Sequence, residues 1–215
     1  RIEDGAVAWS RDLKTVDMAV SQNGRIYFLD QTTQTSDGHV RRIEPTGTEI
    51  SALSSADVIP VLVKARDNVA TVVGRSAGGN GNPTIVRISN ADTIEWQTTV
   101  GADGSQGCLH ANSIDVSDDV VVLVGSRNGN TPPCPANAGS GADPWVAALS
   151  AVDGRELWSL VAESNIGDNF DAGGRVAVDD RGIFVLNRFG LRSLQLDGTE
   201  NWRRTALQVE NTLAG

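Results

Sequence analysis

The sequence predicts an all-β fold, a β-propeller of four-stranded antiparallel blades, with four complete blades plus an extra N-terminal strand. Three observations carry this. A turn followed by a tryptophan recurs as DGAVAW (4–9), DGRELW (153–158) and DGTENW (197–202), with degenerate copies TGTEIS (46–51) and ADTIEW (91–96) between them. The landmark positions 9, 51, 96, 158 and 202 lie 42, 45, 62 and 44 residues apart, the period of a four-stranded blade. No stretch of a dozen residues keeps a 3.6-residue apolar period with caps, so long helices are not expected.

Each period repeats four short runs. The first alternates and ends in a polar turn: DMAVSQNG (17–24), VLVKARDN (61–68), SIDVSDD (113–119) and RVAVDDRG (175–182). The second is β-branched or aromatic: RIYFLD (25–30), VATVVG (69–74), VVVLVG (120–125) and IFVLN (183–187). The third follows a loop: HVRRIE (39–44), TIVRIS (84–89), WVAALS (145–150) and LRSLQL (191–196). The fourth carries the landmark: TEIS (48–51), TIEWQTTV (93–100), ELWSLV (156–161) and TENWRR (199–204). Runs of this length, rich in Val, Ile, Leu and aromatics and bounded by Gly, Asn and Asp, read as antiparallel strands in meander order. Blades are therefore expected at about 14–54, 55–100, 111–162 and 173–206 within one propeller domain. The strand at 6–13 belongs to a preceding or a partner blade. It lacks the three strands that should come before it, so the chain reads as part of a longer propeller of roughly six to eight blades.

The long interval contains a Gly/Pro/Asn-rich insertion, Asn128 to Ala142. Asp-Gly pairs at 153–154 and 197–198 supply residues that tolerate positive φ, as a tight turn between third and fourth strands requires. A blade cannot bury both its faces alone. Trp9, Trp96, Trp158 and Trp202, at equivalent places in successive units, are thus expected to pack blade against blade rather than to stack on a substrate. Trp145 falls outside that register and is expected to anchor the insertion.

Net charge is −9, with 18 basic residues scattered along the chain, which disfavours nucleic acid and anionic membranes as partners. No apolar run is long enough to make a membrane-spanning helix. The chain starts without Met or an apolar leader, so either a signal peptide has been removed or the chain is a fragment. Cys108 and Cys134 lie in polar Gly/Asn/Pro-rich stretches, which fits an extracytoplasmic disulfide. It would close a 27-residue loop and contribute about 3.5 kcal/mol in the chain-entropy account. A metal held by Cys108, His110 and Cys134 lacks a fourth ligand.

The stretch DPWVAALSAVDGRELWSLVAESNIGDNFDAGGRVAVDDRGIFVLN (143–187) resembles the bacterial β-propeller repeats known as SBBP, and residues 82–129 look like a second copy. The Gly-x-x-x-Trp spacing is also similar to that of the wider quinoprotein-like (PQQ-like) propellers. That group includes dehydrogenases and non-catalytic assembly scaffolds, so the resemblance implies architecture rather than an activity. Quinone-dependent dehydrogenases of this kind carry adjacent cysteines and a calcium held by Glu, Asn and Asp. Cys108 and Cys134 are not adjacent, and no catalytic residue carries over.

Chemistry sought directly from the residues is sparse. The two histidines, His39 and His110, stand in no nucleophile-elbow context. The acidic pairs Asp118/Asp119 and Asp179/Asp180 fall at equivalent turns between first and second strands, where Asp is an ordinary turn residue rather than half of a glycosidase pair. A calcium site would use Asp168, Asn169 and Asp171 in GDNFDAGG (167–174), which lacks regular ligand spacing; otherwise no cofactor is expected. The glycines of SAGGNGN (76–82) precede no lysine or helix and read as a loop.

The expectation is a secreted, periplasmic or cell-surface scaffold, a protein-interaction or adhesion module, without catalysis. Its partner would be a protein, a glycan or another copy joined through unpaired strand edges. The contact surface is expected on the insertion 126–142, with Asn128, Asn130, Asn137 and Trp145, clamped by the disulfide to the 107–110 loop. The rival expectation is an enzyme, either a sugar hydrolase or lyase or a degenerate quinoprotein dehydrogenase. It requires several acids or a metal converging in the central channel.

Overall fold

The structure is a computed structural model that describes residues 15–30, 38–55, 58–76, 82–101, 108–128, 143–161, 174–187 and 190–205. These residues form four antiparallel sheets of four strands, each a meander in chain order. The first holds β1 (Thr15–Val20), β2 (Ile26–Asp30), β3 (Gly38–Ile43) and β4 (Glu49–Ser55), and the second β5 (Val58–Arg66), β6 (Val69–Ser76), β7 (Pro83–Ile88) and β8 (Ile94–Thr99). The third holds β9 (Cys108–Val116), β10 (Val120–Asn128), β11 (Asp143–Ser150) and β12 (Glu156–Val161), and the fourth β13 (Arg175–Asp179), β14 (Gly182–Asn187), β15 (Gly190–Leu194) and β16 (Glu200–Thr205). The first strands are the inner ones: β1 packs along β5, β5 along β9, and β9 along β13. This is the four-bladed propeller arrangement that the repeat predicts. The strand expected at 6–13 lies outside the described residues.

A two-residue side-chain period explains why the blades need each other. Along β10, Val121 and Leu123 enter the core shared with blade 2, while Val120, Val122 and Val124 enter the core shared with blade 4. Successive side chains point to opposite faces of a strand, so a central blade reads as an unbroken apolar run. Blade 2 behaves alike: Val73 and Ile85 face blade 3, and Ala70, Val72, Val86 and Ile88 face blade 1. Three inter-blade cores result among the described residues. The outer faces of the end blades differ: Val16, Met18 and Val20 of β1, and Leu186 and Trp202 of blade 4, are exposed.

Two local expectations are corrected. Cys108 and His110 do not stand in a loop; β9 starts at Cys108, which pairs with Asn128. A register shift between Val124 and Gly125 breaks the alternation there, which hides the strand's first half from a periodicity reading. For the same reason residues 126–128 belong to β10 rather than to the insertion.

Candidate functional site

The inner strands of all four blades frame a cleft of about 510 Å³. Each contributes residues to its lining: Asp17 and Met18 from β1, Leu62 and Lys64 from β5, Ser113 and Asp115 from β9, Arg175 and Val176 from β13. The charged members alternate in sign from blade to blade as Asp17, Lys64, Asp115 and Arg175. Convergent carboxylates would be needed for glycoside chemistry, and two acids do line this cleft. Both are already engaged. Asp17 Oδ2 accepts the Val63 N–H at 2.8 Å, and Asp115 Oδ2 accepts the Val178 N–H at 2.8 Å. In each case the carboxylate bonds the backbone of the next blade's inner strand. Lys64 Nζ lies 3.6 Å from Asp115 Oδ1. Charge-assisted bonds of this kind hold the strand register in place. The arrangement serves as a seam between blades. Lys64 and Arg175 are its cationic features, and Arg175 makes no ion pair among the described residues.

These four residues belong to no motif that marks a site in the sequence. A signal was present: DMAV and SIDV each put an acid inside a first run, Asp17 three residues and Asp115 one residue before the run's last valine, where a plain turn reading does not need one.

The recurring tryptophans find their role at the outer rim. Trp96 is buried, donates its indole N–H to Ala151 O at 3.0 Å, and covers the turn of the next blade at Gly154. Trp158 donates to Leu196 O at 2.8 Å and covers Gly198, again in the next blade. Both glycines have positive φ, +72° and +87°. A Cβ at Gly154 would lie 2.5 Å from Trp96 Cε3, and one at Gly198 would lie 2.8 Å from Trp158 Cδ2. Glycine is therefore required twice over, by backbone conformation and by the approach of the ring. The tryptophan and the Asp-Gly turn of the repeat are thus the two halves of one joint, contributed by adjacent blades. Trp202 stands at the equivalent place in blade 4, half-exposed, tilted against Phe184 at 6.4 Å and beneath the Arg204 guanidinium. Trp9 lies outside the described residues.

Between blades 1 and 2 both halves of the joint are missing. Ser51 occupies the tryptophan position, and Asp92, with φ +60°, occupies the glycine position. The β3–β4 register shift also falls elsewhere, between Val40 and Arg41, two residues earlier on the third strand than the place it takes beside Trp96. Arg42 fills the gap. It is buried, ion-pairs with Asp92, lies 2.9 Å from Glu44 Oε1, and donates to Asn90 O at 3.4 Å. Asn90 occupies the turn position that Leu196 holds in blade 4, so a guanidinium reaches the carbonyl that an indole reaches elsewhere. Arg25 completes the cluster through Glu44 and the Asn90 side chain.

The remaining candidates are placed as follows. Cys108 is buried at the start of β9; Cys134, Asn130, Asn137, Asp168, Asn169 and Asp171 lie outside the described residues, as does the Asn128 side chain. Trp145 is 1 % exposed within the core between blades 2 and 3, and so offers no surface to a partner. Its place beside buried Leu123 and Ala147 follows from the outward-inward alternation of β11. His110 is buried, and burial, with the Arg75 charge as a second cause, holds its imidazole below the ordinary value of 6.5. The paired acids are turn residues. Asp118 bonds Arg66 across to blade 2 at 2.7 Å, and Asp119 O accepts the Ala151 N–H. Asp179 is held below the usual carboxylate range by the Arg181 side chain and then by its N–H.

No family model matches the chain, and no curated protein does. Solved structures do. Hydrazine synthase of Kuenenia stuttgartiensis is similar over 84 % of this chain and 52 % of its own, with TM-score 0.60 and 12 % identity. The Pan2 WD40 domain of Neurospora crassa is similar over 84 % and 49 %, with TM-score 0.52 and 16 % identity. Apo AztD of Citrobacter koseri is similar over 88 % and 46 %, with TM-score 0.52 and 10 % identity. These are β-propeller-like folds of varied function, and at such identities the likeness is one of fold. The chain spans about half the length of the structures it matches.

Proposed function

We propose that this chain is a non-catalytic scaffold, a protein-interaction or adhesion module of a secreted or cell-surface β-propeller of the SBBP or quinoprotein-like type. The observation that carries this reading is the engagement of both cleft carboxylates by the backbone of the next blade. An acid that gives up that bond to abstract or donate a proton also loosens the blade it holds. The subtype is supported by the Gly-x-x-x-Trp spacing, because that spacing supplies both halves of the inter-blade joint. An extracytoplasmic location is supported by the two cysteines and their expected pairing across the insertion. The contact surface is assigned to the insertion beyond β10, residues 129–142, on Asn130 and Asn137; Asn128 is removed from it as the last residue of β10, and Trp145 because it is buried.

The test is binding to immobilised glycan and protein arrays. Alanine replacement at Asn130 and Asn137 should abolish binding at least about tenfold, a loss of about 1.4 kcal/mol, with the circular-dichroism spectrum unchanged. Paired replacement of Lys64 and Arg175 should leave it intact. The reverse pattern, or substrate turnover that disappears with Lys64 or Arg175, would establish the cleft as the working site and favour the enzyme reading.

A further inference from the structure

We infer that the cavity between blades 3 and 4 binds a small carboxylic acid with a single-ring or branched apolar body, its carboxylate on Arg192. Three observations converge. First, space is left where the neighbouring joint is full. Trp145, four residues before the register shift at Leu149, is buried in the core between blades 2 and 3. The residue four before the corresponding shift at Leu194 is Gly190, which has no side chain to place between blades 3 and 4. A cavity of about 170 Å³ opens between these two blades, walled by Val124, Val146 and Leu160 of blade 3 and by Val185 and Leu194 of blade 4. An apolar cavity of about 150 Å³ stays dry and accepts one benzene ring.

Second, a charge stands where the other joints are apolar. Arg192 pairs with Val185 as Ala147 pairs with Leu123 and Val86 with Val72. Ala147 and Val86 are buried in inter-blade cores, whereas Arg192 lines the cavity with its side chain 33 % exposed. Third, this guanidinium is barely engaged. Its one ion pair among the described residues is with Glu200 Oε2 at 3.8 Å, too long for a hydrogen bond. Glu200 is better served by Arg203, whose Nε donates to Oε1 at 2.8 Å. Arg192 can therefore offer a ligand its planar fork of N–H donors, which meets a carboxylate at two points. A cation would be repelled there, and an uncharged ring would leave the guanidinium unmet. Once bound, the acid touches both blades and strengthens their joint.

Titration calorimetry of the full chain with benzoate, benzyl alcohol and benzylamine tests the site. Benzoate should bind with a Kd below about 1 mM, at least about tenfold tighter than benzyl alcohol, and benzylamine should not bind. Arg192→Met should reduce benzoate to the affinity of benzyl alcohol. Leu160→Trp, at an exposed position on the cavity wall, should fill the space and abolish binding of both. Arg175→Gln, in the central cleft, should leave benzoate binding as it is in the parent. Absence of benzoate binding, equal affinity for the three probes, or benzoate affinity that survives Arg192→Met or Leu160→Trp would overturn the inference. So would loss of binding in Arg175→Gln, which would move the anion to the central cleft. Should Arg192→Met or Leu160→Trp fail to fold, nuclear Overhauser contacts in the parent decide. Contacts from the benzoate ring to the methyls of Val124, Val146 and Val185 support the site, and contacts confined to other methyls overturn it.

Discussion

Blades 2, 3 and 4 are joined by one device and blades 1 and 2 by another. At the first two joints an indole lies on a glycine and donates one hydrogen bond to a carbonyl two or three residues before it. The other joint uses a buried guanidinium between two carboxylates and the equivalent carbonyl. The two solutions meet the same need, to cover an exposed turn and satisfy its orphan acceptor. They differ in what stabilises them. An indole buries a large apolar surface and asks for one partner. A buried arginine must have its charge and donors met almost completely, or desolvation outweighs the attraction. The comparison teaches that degeneracy in a repeat is paired. Where Ser51 stands at the tryptophan position, the partner glycine position has no ring to accommodate and carries Asp92, whose charge serves Arg42.

The largest expected effect that would break this contrast is at the indole joints. Trp96→Ala should cost about 3–5 kcal/mol, the range for a buried aromatic truncated to alanine. Chemical denaturation monitored by circular dichroism checks it, and a loss under 1 kcal/mol would mean the ring does little for the joint. Arg42→Ala should cost less, about 2 kcal/mol, because Asp92 and Glu44 keep some solvent contact after losing their partner. Raising the salt concentration should narrow the difference between parent and Arg42→Ala and leave that between parent and Trp96→Ala untouched. Equal salt responses would erase the distinction.

The smallest effect sharpens the joint between blades 2 and 3. His110, in blade 3, is held neutral by burial and then by the Arg75 charge of blade 2. Its folded value lies below 6.5, so the unfolded chain binds the proton first. The corresponding stability is complete above about pH 6.5 and is lost as pH falls toward the folded value. Thermal melts from pH 7.5 down to 5 should show this slope, and His110→Gln should flatten it. A slope that survives the substitution would assign it to other groups.

Much of the blade arithmetic was readable before any coordinates. The runs VATVV and VVVLV lie where second strands lie, because a strand buried on both faces has no polar alternation to lose, and IFVLN lies there too, with Leu186 on the open face of blade 4. The Asp-Gly turns were readable because positive φ is a local demand. The first half of β9 was not, since its register shift at Gly125 answers to β10 rather than to its own side chains. Trp145 looked like a loop anchor because its neighbours in sequence are glycines and prolines, yet its ring is set by β11 pairing with β10. The inner cleft was legible only as an unexplained acid in two runs.

What the chain of residues decides alone is the meander and its count, since a two-residue alternation and a glycine turn are properties of neighbours along the backbone. What each side chain meets across the gap was settled by the tertiary structure. Trp96 and Ala151 are 55 positions apart, as Arg42 and Asp92 are 50 apart. Such pairs exist because adjacent twisted sheets rotate against one another by a fixed amount, and no pattern within one blade encodes that rotation.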